Sequence, residues 1–215
     1  MPTFPQEELI EGLCRRILSK QQKQGAWKLF YDEGEGNVTS TLEAYYALLF
    51  SGLYRKEDER LRAAKTFIVA NGGISKASMF TKIMLALTGQ YKWPSCSPLP
   101  IELILLPLDF PFNFYSLSVF GRANLTPIMI LADNKFSIKT AAAPDLAELK
   151  LIQDDEEEWV RSSEWHPLFS FIQDGVKRLI GIPTELHRLA VERARTYMLD
   201  HLEPDGTLYS YYSSF

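Results

Sequence analysis

Asp154-Asp155-Glu156-Glu157-Glu158 is the densest run of titratable side chains in the chain. Carboxylates clustered in this way can hold magnesium ions and, through them, a diphosphate leaving group. That chemistry needs a second acidic cluster on a facing helix. The sequence offers none, so the run reads as a solvated charged face. His166, His187 and His201 are scattered, with no cysteine or acid at ligand spacing, and they suggest no zinc set. Cys14 and Cys96 lie in no metal-like pattern and read as two reduced thiols, a bridge between them being the alternative. A Gly-x-Ser-x-Gly elbow and a phosphate-binding glycine loop are both missing. No metal, no cofactor and no catalytic side chain is therefore expected.

The remaining candidates are apolar or stand beside apolar neighbours. Glu43 lies among Leu42, Ala44, Tyr45 and Tyr46, at a spacing that puts it next to an apolar helix face, where an ionised carboxylate needs a partner. The competing reading is a glutamate at the helix flank reaching water. Leu117, Phe120 and Leu125 fall on one predicted helix, and core packing explains apolar residues there as readily as ligand contact does. Residues 167–180 carry Leu168, Phe169, Ile172, Val176, Leu179 and Ile180 on one side, with Gln173, Asp174, Lys177 and Arg178 on the other. A helix of that pattern either packs on its own core or lies in a membrane interface, with Trp165 and Phe169 toward lipid.

The elements that must position these residues announce themselves through a repeated turn. In Gln21-Gln22-Lys23-Gln24-Gly25-Ala26-Trp27 a helix closes, turns at a glycine and is pinned by an indole, and a weaker copy stands at Leu202-Glu203-Pro204-Asp205-Gly206-Thr207-Leu208. Ile17 and Met198 occupy equivalent places before the two copies, with Leu13 and Ala194 a turn earlier. Helices ending at Gly25, Gly73 and Gly206 imply a helix-turn-helix unit repeating every 30 to 50 residues or so. The predicted helices run from Leu9 to near Gly25, from the hydroxyls of Thr39-Ser40-Thr41 through Leu42, Tyr45, Tyr46, Leu49 and Leu53, from Lys56 to Asn71, and around Met79, Phe80, Ile83, Met84 and Leu87. A proline-rich apolar loop with a short helix at 101–106 follows, then a long helix from Phe114 to Ala132 bent at Pro127. Residues 137–159 read as polar, acid-rich and mobile. Residues 186–202 close the series, and strand signals are absent from the first hundred residues.

At 215 residues, with 46% hydrophobic and 13% aromatic content, the chain can bury one substantial core, and a single domain over 1–215 is expected. A net charge of −4 argues against nucleic acid as partner. No secretory leader is legible in Met1 to Glu8, and no stretch supplies the roughly 20 apolar residues that spanning a bilayer requires.

Six strings in one order carry a resemblance. They are Gln21/Gly25/Trp27, Thr41-Leu42-Glu43-Ala44-Tyr45 with Gly52, and Phe67-Ile68 leading to Gly72-Gly73-Ile74. Phe80-Thr81-Lys82 with Leu85-Ala86-Leu87, Pro111-Phe112-Asn113-Phe114-Tyr115, and Gly121-Arg122-Ala123 complete the set. The chain resembles the squalene–hopene cyclase family of triterpene cyclases, and its closing stretch is similar to the branch that converts tetraprenyl-β-curcumene to sporulenol. The resemblance implies an all-α fold, an incomplete α/α barrel (toroid) forming the N-terminal part of a longer two-barrel enzyme. It implies a long polyprene substrate, the C-terminal catalytic barrel as partner, and peripheral, monotopic attachment to the inner face of the cell membrane from the cytoplasm. It places Phe120 toward the substrate cavity, Leu117 and Leu125 on the channel constriction, a polar residue at Glu43, and Trp165, Leu168, Phe169 and Ile172 against the membrane. The family's protonating Asp-x-Asp-Asp motif does not occur in this sequence, so the chain alone is expected to be inactive. A lipid-binding or scaffolding barrel without chemistry is the alternative, and a protein prenyltransferase β-subunit would need a zinc set that is not displayed.

Overall fold

The computed structural model describes residues 6–94, 100–110, 113–151 and 184–207. Among these residues are six α-helices and no strand. The helices are α1 (Gln6–Ser19), α2 (Val38–Phe50), α3 (Glu59–Ala70), α4 (Met79–Leu87), α5 (Val119–Asp133) and α6 (Thr184–Asp200). Short 3-10 turns lie at Ile74–Lys76, Ile101–Leu105, Phe114–Ser116 and Ala147–Leu149. The protein is all-α. It divides into two compact units, residues 1–92 with 137–163, and residues 93–136 with 164–215.

In the first unit, α1 opens with Glu7 and Glu8 and closes with Arg16, charges that complement the helix dipole. It stops at Ser19 rather than near Gly25, because the amides of Lys20 and Gln21 reach back to the carbonyls of Ile17 and Leu18 in a tightened last turn. The glycine turn then folds as a clamp. Gly25 sits at φ +89°, and a Cβ there would come within 2.5 Å of the Ala63 carbonyl carbon. The Gln21 amide donates to the carbonyls of Gly25 and Arg60, both at 2.9 Å. Trp27 is buried, with its indole N–H on the Ile17 carbonyl at 2.7 Å and its backbone N–H on Thr41 Oγ1 at 2.9 Å. One motif thereby ties α1, α2 and α3 together.

The second copy repeats the backbone but not the clamp. Gln22 N–H to Ala26 O (2.8 Å) and Gly25 N–H to Gln22 O (2.9 Å) recur as Glu203 N–H to Thr207 O (2.7 Å) and Gly206 N–H to Glu203 O (2.9 Å). Gly206 also sits at positive φ, but nothing lies within 4 Å of a Cβ built there. Leu202 has no amide to spend on the turn.

Several boundaries and faces differ from the sequence expectation. Asn37, not a hydroxyl of 39–41, caps α2, its Oδ1 accepting Ser40 N–H at 3.0 Å. Thr41 is instead anchored to Trp27, which turns Leu42, Tyr45 and Leu48 inward and leaves Leu53 exposed. Leu9, Ile10 and Leu13 of α1 are exposed, and Cys14 is the buried residue of that helix. α3 starts at Glu59 because the Asp58 carboxylate accepts the Arg55 amide at 2.7 Å in the preceding turn; Leu61, Ala64 and Ile68 point inward as expected. α4 keeps its expected bounds, yet Phe80 and Met84 face outward.

The described part of the polar stretch, residues 137–151, carries buried anchors among exposed residues. Leu146 and Leu149 are buried, Ile138 N–H donates to Leu87 O at 2.7 Å, and the Tyr45 hydroxyl donates to Glu148 at 2.7 Å. Lys56 and Lys65 stand 3.0 and 3.8 Å from the same carboxylate, and Lys56 also donates to the Asp145 carbonyl. Burial pushes the Glu148 carboxyl up, but the hydrogen bonds from Tyr45 and Lys56 and the two lysine charges outweigh it and hold it below its ordinary value.

In the second unit the expected long helix from Phe114 breaks in two. Asn113 caps the 3-10 turn through a reciprocal bond with Ser116. Leu117 is extended, and Ser118 Oγ accepts Gly121 N–H at 3.0 Å to start α5. Pro127 lies inside α5 and removes the amide that would reach Ala123. α6 packs on α5 and on Ile101–Leu105, with Ala190 and Ala194 fully buried.

Candidate functional site

Phe120 occupies the first turn of α5, and 48% of it is exposed. The turn that presents it is locked from behind. Arg122 donates from Nε to the Tyr197 hydroxyl at 3.1 Å and from Nη1 to the carbonyls of Leu117 (2.5 Å) and Tyr115 (3.3 Å). Its guanidinium lies 5.6 Å from the Tyr115 ring centre. Phe114, fully buried, meets Tyr115 and Tyr197 edge-on at 5.4 and 5.0 Å. Tyr197 in turn stacks on His201 at 4.1 Å. An arginine that reads in sequence as a polar intrusion is therefore the residue that fixes the α5 entry, and Leu117, half-buried, is held by its own carbonyl. Leu125 lies further along α5, also half-buried.

Glu43 belongs to the other unit. It is exposed on α2 and is nevertheless bonded, its Oε1 accepting the Thr81 hydroxyl at 2.6 Å, with Ser78 Oγ 2.8 Å from the same hydroxyl. The chain Glu43, Thr81, Ser78 joins α2 to the cap of α4. On α4 itself Phe80 (48% exposed) and Met84 (60% exposed) stand four residues apart on one outward face. Sequence reasoning used both only to outline the helix, since their spacing fits either side of it. The only legible signal was that Met79 and Ile83 supply an inward stripe without them. Nearby on α2 the Tyr46 ring stacks on Phe50 at 5.8 Å, and its buried hydroxyl has no hydrogen-bond partner among the described residues.

Trp165, Leu168, Phe169 and Ile172, the acidic run at 154–158, His166 and Cys96 lie outside the described residues. Among the described residues no group of His, Cys, Asp or Glu is arranged to hold a metal ion, and no helix is long and apolar enough to cross a membrane. What these surfaces offer is the exposed rings of Phe120 and Phe80 and the thioether of Met84. Such a surface suits an apolar ligand, and a ring face such as Phe120 attracts positive charge.

The profile of the squalene-hopene cyclase N-terminal domain matches residues 3–215. This chain belongs to the squalene–hopene cyclase family. It is 34% identical to the sporulenol synthase of Bacillus subtilis over 212 residues, 97% of this chain and 33% of the relative. It is 30% identical to the squalene-hopene cyclase of Schizosaccharomyces japonicus over 203 residues, 92% of this chain and 30% of the relative. It is 33% identical to the squalene–hopene cyclase of Alicyclobacillus acidocaldarius over 142 residues, 65% of this chain and 22% of the relative. The chain thus spans about a third or less of the length of these cyclases.

Proposed function

We propose that this chain forms part of the wall and entrance of the polyprene chamber in a proton-initiated triterpene cyclase, as an incomplete α/α barrel that makes the N-terminal part of a longer two-barrel enzyme. The observation that carries the reading is Phe120, an aromatic face kept outward by the buttress of Arg122, Tyr197 and Phe114, in a chain of this family. Cyclisation of a polyene moves a cation along a folded hydrocarbon. Aromatic faces stabilise that cation in a cavity that excludes water. Leu117 and Leu125, on the same segment as Phe120, narrow the channel. None of these side chains can protonate an alkene. That step belongs to an Asp-x-Asp-Asp segment, a sequence this chain does not contain.

The match to a sporulenol synthase favours tetraprenyl-β-curcumene over squalene as substrate. The enzyme is further proposed to sit on the inner face of the cell membrane through Trp165 and through Leu168, Phe169 and Ile172 on the apolar side of the amphipathic stretch 167–180 that follows it. Liposome flotation of wild type and Phe169→Glu tests the attachment: flotation lost in the variant supports it, and a wild type that never floats refutes it. For the chemistry, the chain is assayed with each polyprene in detergent, alone and together with a polypeptide bearing the Asp-x-Asp-Asp segment. Cyclised product only in the mixture is expected. Turnover by the chain alone contradicts the reading, and polyprene binding with no product in either case favours a lipid-binding domain without chemistry.

A further inference from the structure

His187 stands in the first turn of α6, between two carboxylates from two other elements of the same unit. Its Nδ1 lies 2.7 Å from Glu102 Oε1, in the Ile101–Leu105 turn, and its Nε2 lies 3.5 Å from Asp133 Oδ1, the last residue of α5. Both edges of the ring are thus engaged by acids at once. A neutral imidazole can donate from only one nitrogen, whereas the protonated ring donates from both. A cation at a helix N-terminus is opposed by the helix dipole, so the site favours the charged ring only because two carboxylates face it. The neighbouring charges on α6, Glu185 and Arg188, are 3.0 Å apart and satisfy each other.

We propose that His187 is a proton-operated latch: the protonated ring draws Glu102 and Asp133 onto the start of α6, and loss of the proton releases that end of the helix. Release matters beyond the latch, because α6 also carries Tyr197, the hydroxyl that holds Arg122 behind Phe120. The direction of titration agrees with the geometry. The Glu102 hydrogen bond holds His187 above its ordinary value, partial burial works against this, and the charges of Asp133 and Glu102 reinforce it. Burial raises the Asp133 carboxyl, the His187 charge pulls it back, and Glu102 raises it further. A raised histidine contributes its full stabilisation below the unfolded value and loses it as pH climbs through the folded one. The latch is therefore shut below the ordinary histidine value and opens as pH climbs through the raised one. It stands on these three residues alone and does not depend on the cyclase reading.

The test is a nitrogen-15 NMR titration of the His187 ring in the intact protein, with deuterium exchange along α6 from about pH 6 to about pH 9. His187 is expected to titrate above the ordinary histidine value. Protection of residues 188–196, corrected for intrinsic exchange, is expected to fall about threefold or more across that titration. In His187→Gln protection is low throughout and shows no step, and in Glu102→Gln the ring titrates at lower pH. A His187 midpoint at or below the ordinary value, or one unmoved by Glu102→Gln, overturns the proposal. So does wild-type protection that varies with pH no more than in His187→Gln.

Discussion

Trp27 donates its indole N–H to the Ile17 carbonyl across 2.7 Å, a second donor on an oxygen that also accepts the Lys20 amide at the end of α1. Trp27→Phe keeps most of the buried area and loses the bond, so a cost of about 1–2 kcal/mol is expected. Trp27→Ala also opens a cavity and is expected to cost about 3–5 kcal/mol. Urea unfolding of the three proteins checks the order.

Gly25 and Gly206 separate backbone strain from steric room. Both sit at positive φ, but only at Gly25 would a Cβ meet backbone, 2.5 Å from Ala63. Gly206→Ala is expected to cost about 1 kcal/mol, the backbone penalty alone, and Gly25→Ala clearly more, because the α3 backbone must move. Equal losses in thermal or urea melts contradict the clamp.

Tyr45→Phe removes the hydrogen bond to Glu148. Because Glu148 keeps partial access to water and the two lysines beside it, the expected cost is modest, about 1 kcal/mol near neutrality. Glu148 is held below its ordinary value, so its contribution is present above the unfolded carboxylate value and lost as pH falls through the folded one. The gap between wild type and Tyr45→Phe should therefore shrink in acid. A gap that grows or stays constant on acidification contradicts the strap at 137–151.

The sequence displays what local periodicity and turn chemistry control, and hides what depends on which neighbour an element meets. The glycine turn, α3 and α4 were legible because glycine at positive φ and apolar spacing are local properties. The packed strap at 137–151 was not, since its polar composition conceals Leu146, Leu149 and a carboxylate that is useful only once Tyr45, Lys56 and Lys65 surround it. The outward face of Phe80 and Met84 was hidden for the converse reason: apolar residues read as core until the fold shows which stripe turns inward. Phe120 was singled out by family resemblance, whereas its buttress of Arg122 and Tyr197, 75 residues apart, has no local signature.

Arg122→Lys keeps the charge but cannot fork between the Tyr197 hydroxyl and the carbonyls of Leu117 and Tyr115. A loss of about 1–2 kcal/mol is expected, together with faster amide exchange at 117–121. A melt and exchange profile matching wild type would show that the buttress does not hold the turn.

The most direct test replaces Phe120 by Ala in the complete cyclase and compares the products formed from tetraprenyl-β-curcumene and from squalene. If the ring faces the travelling cation, the variant releases incompletely cyclised or prematurely deprotonated polyprenes in place of the normal product. An unchanged product distribution at merely reduced yield would mean that Phe120 is packing, and that this unit does not line the reaction chamber.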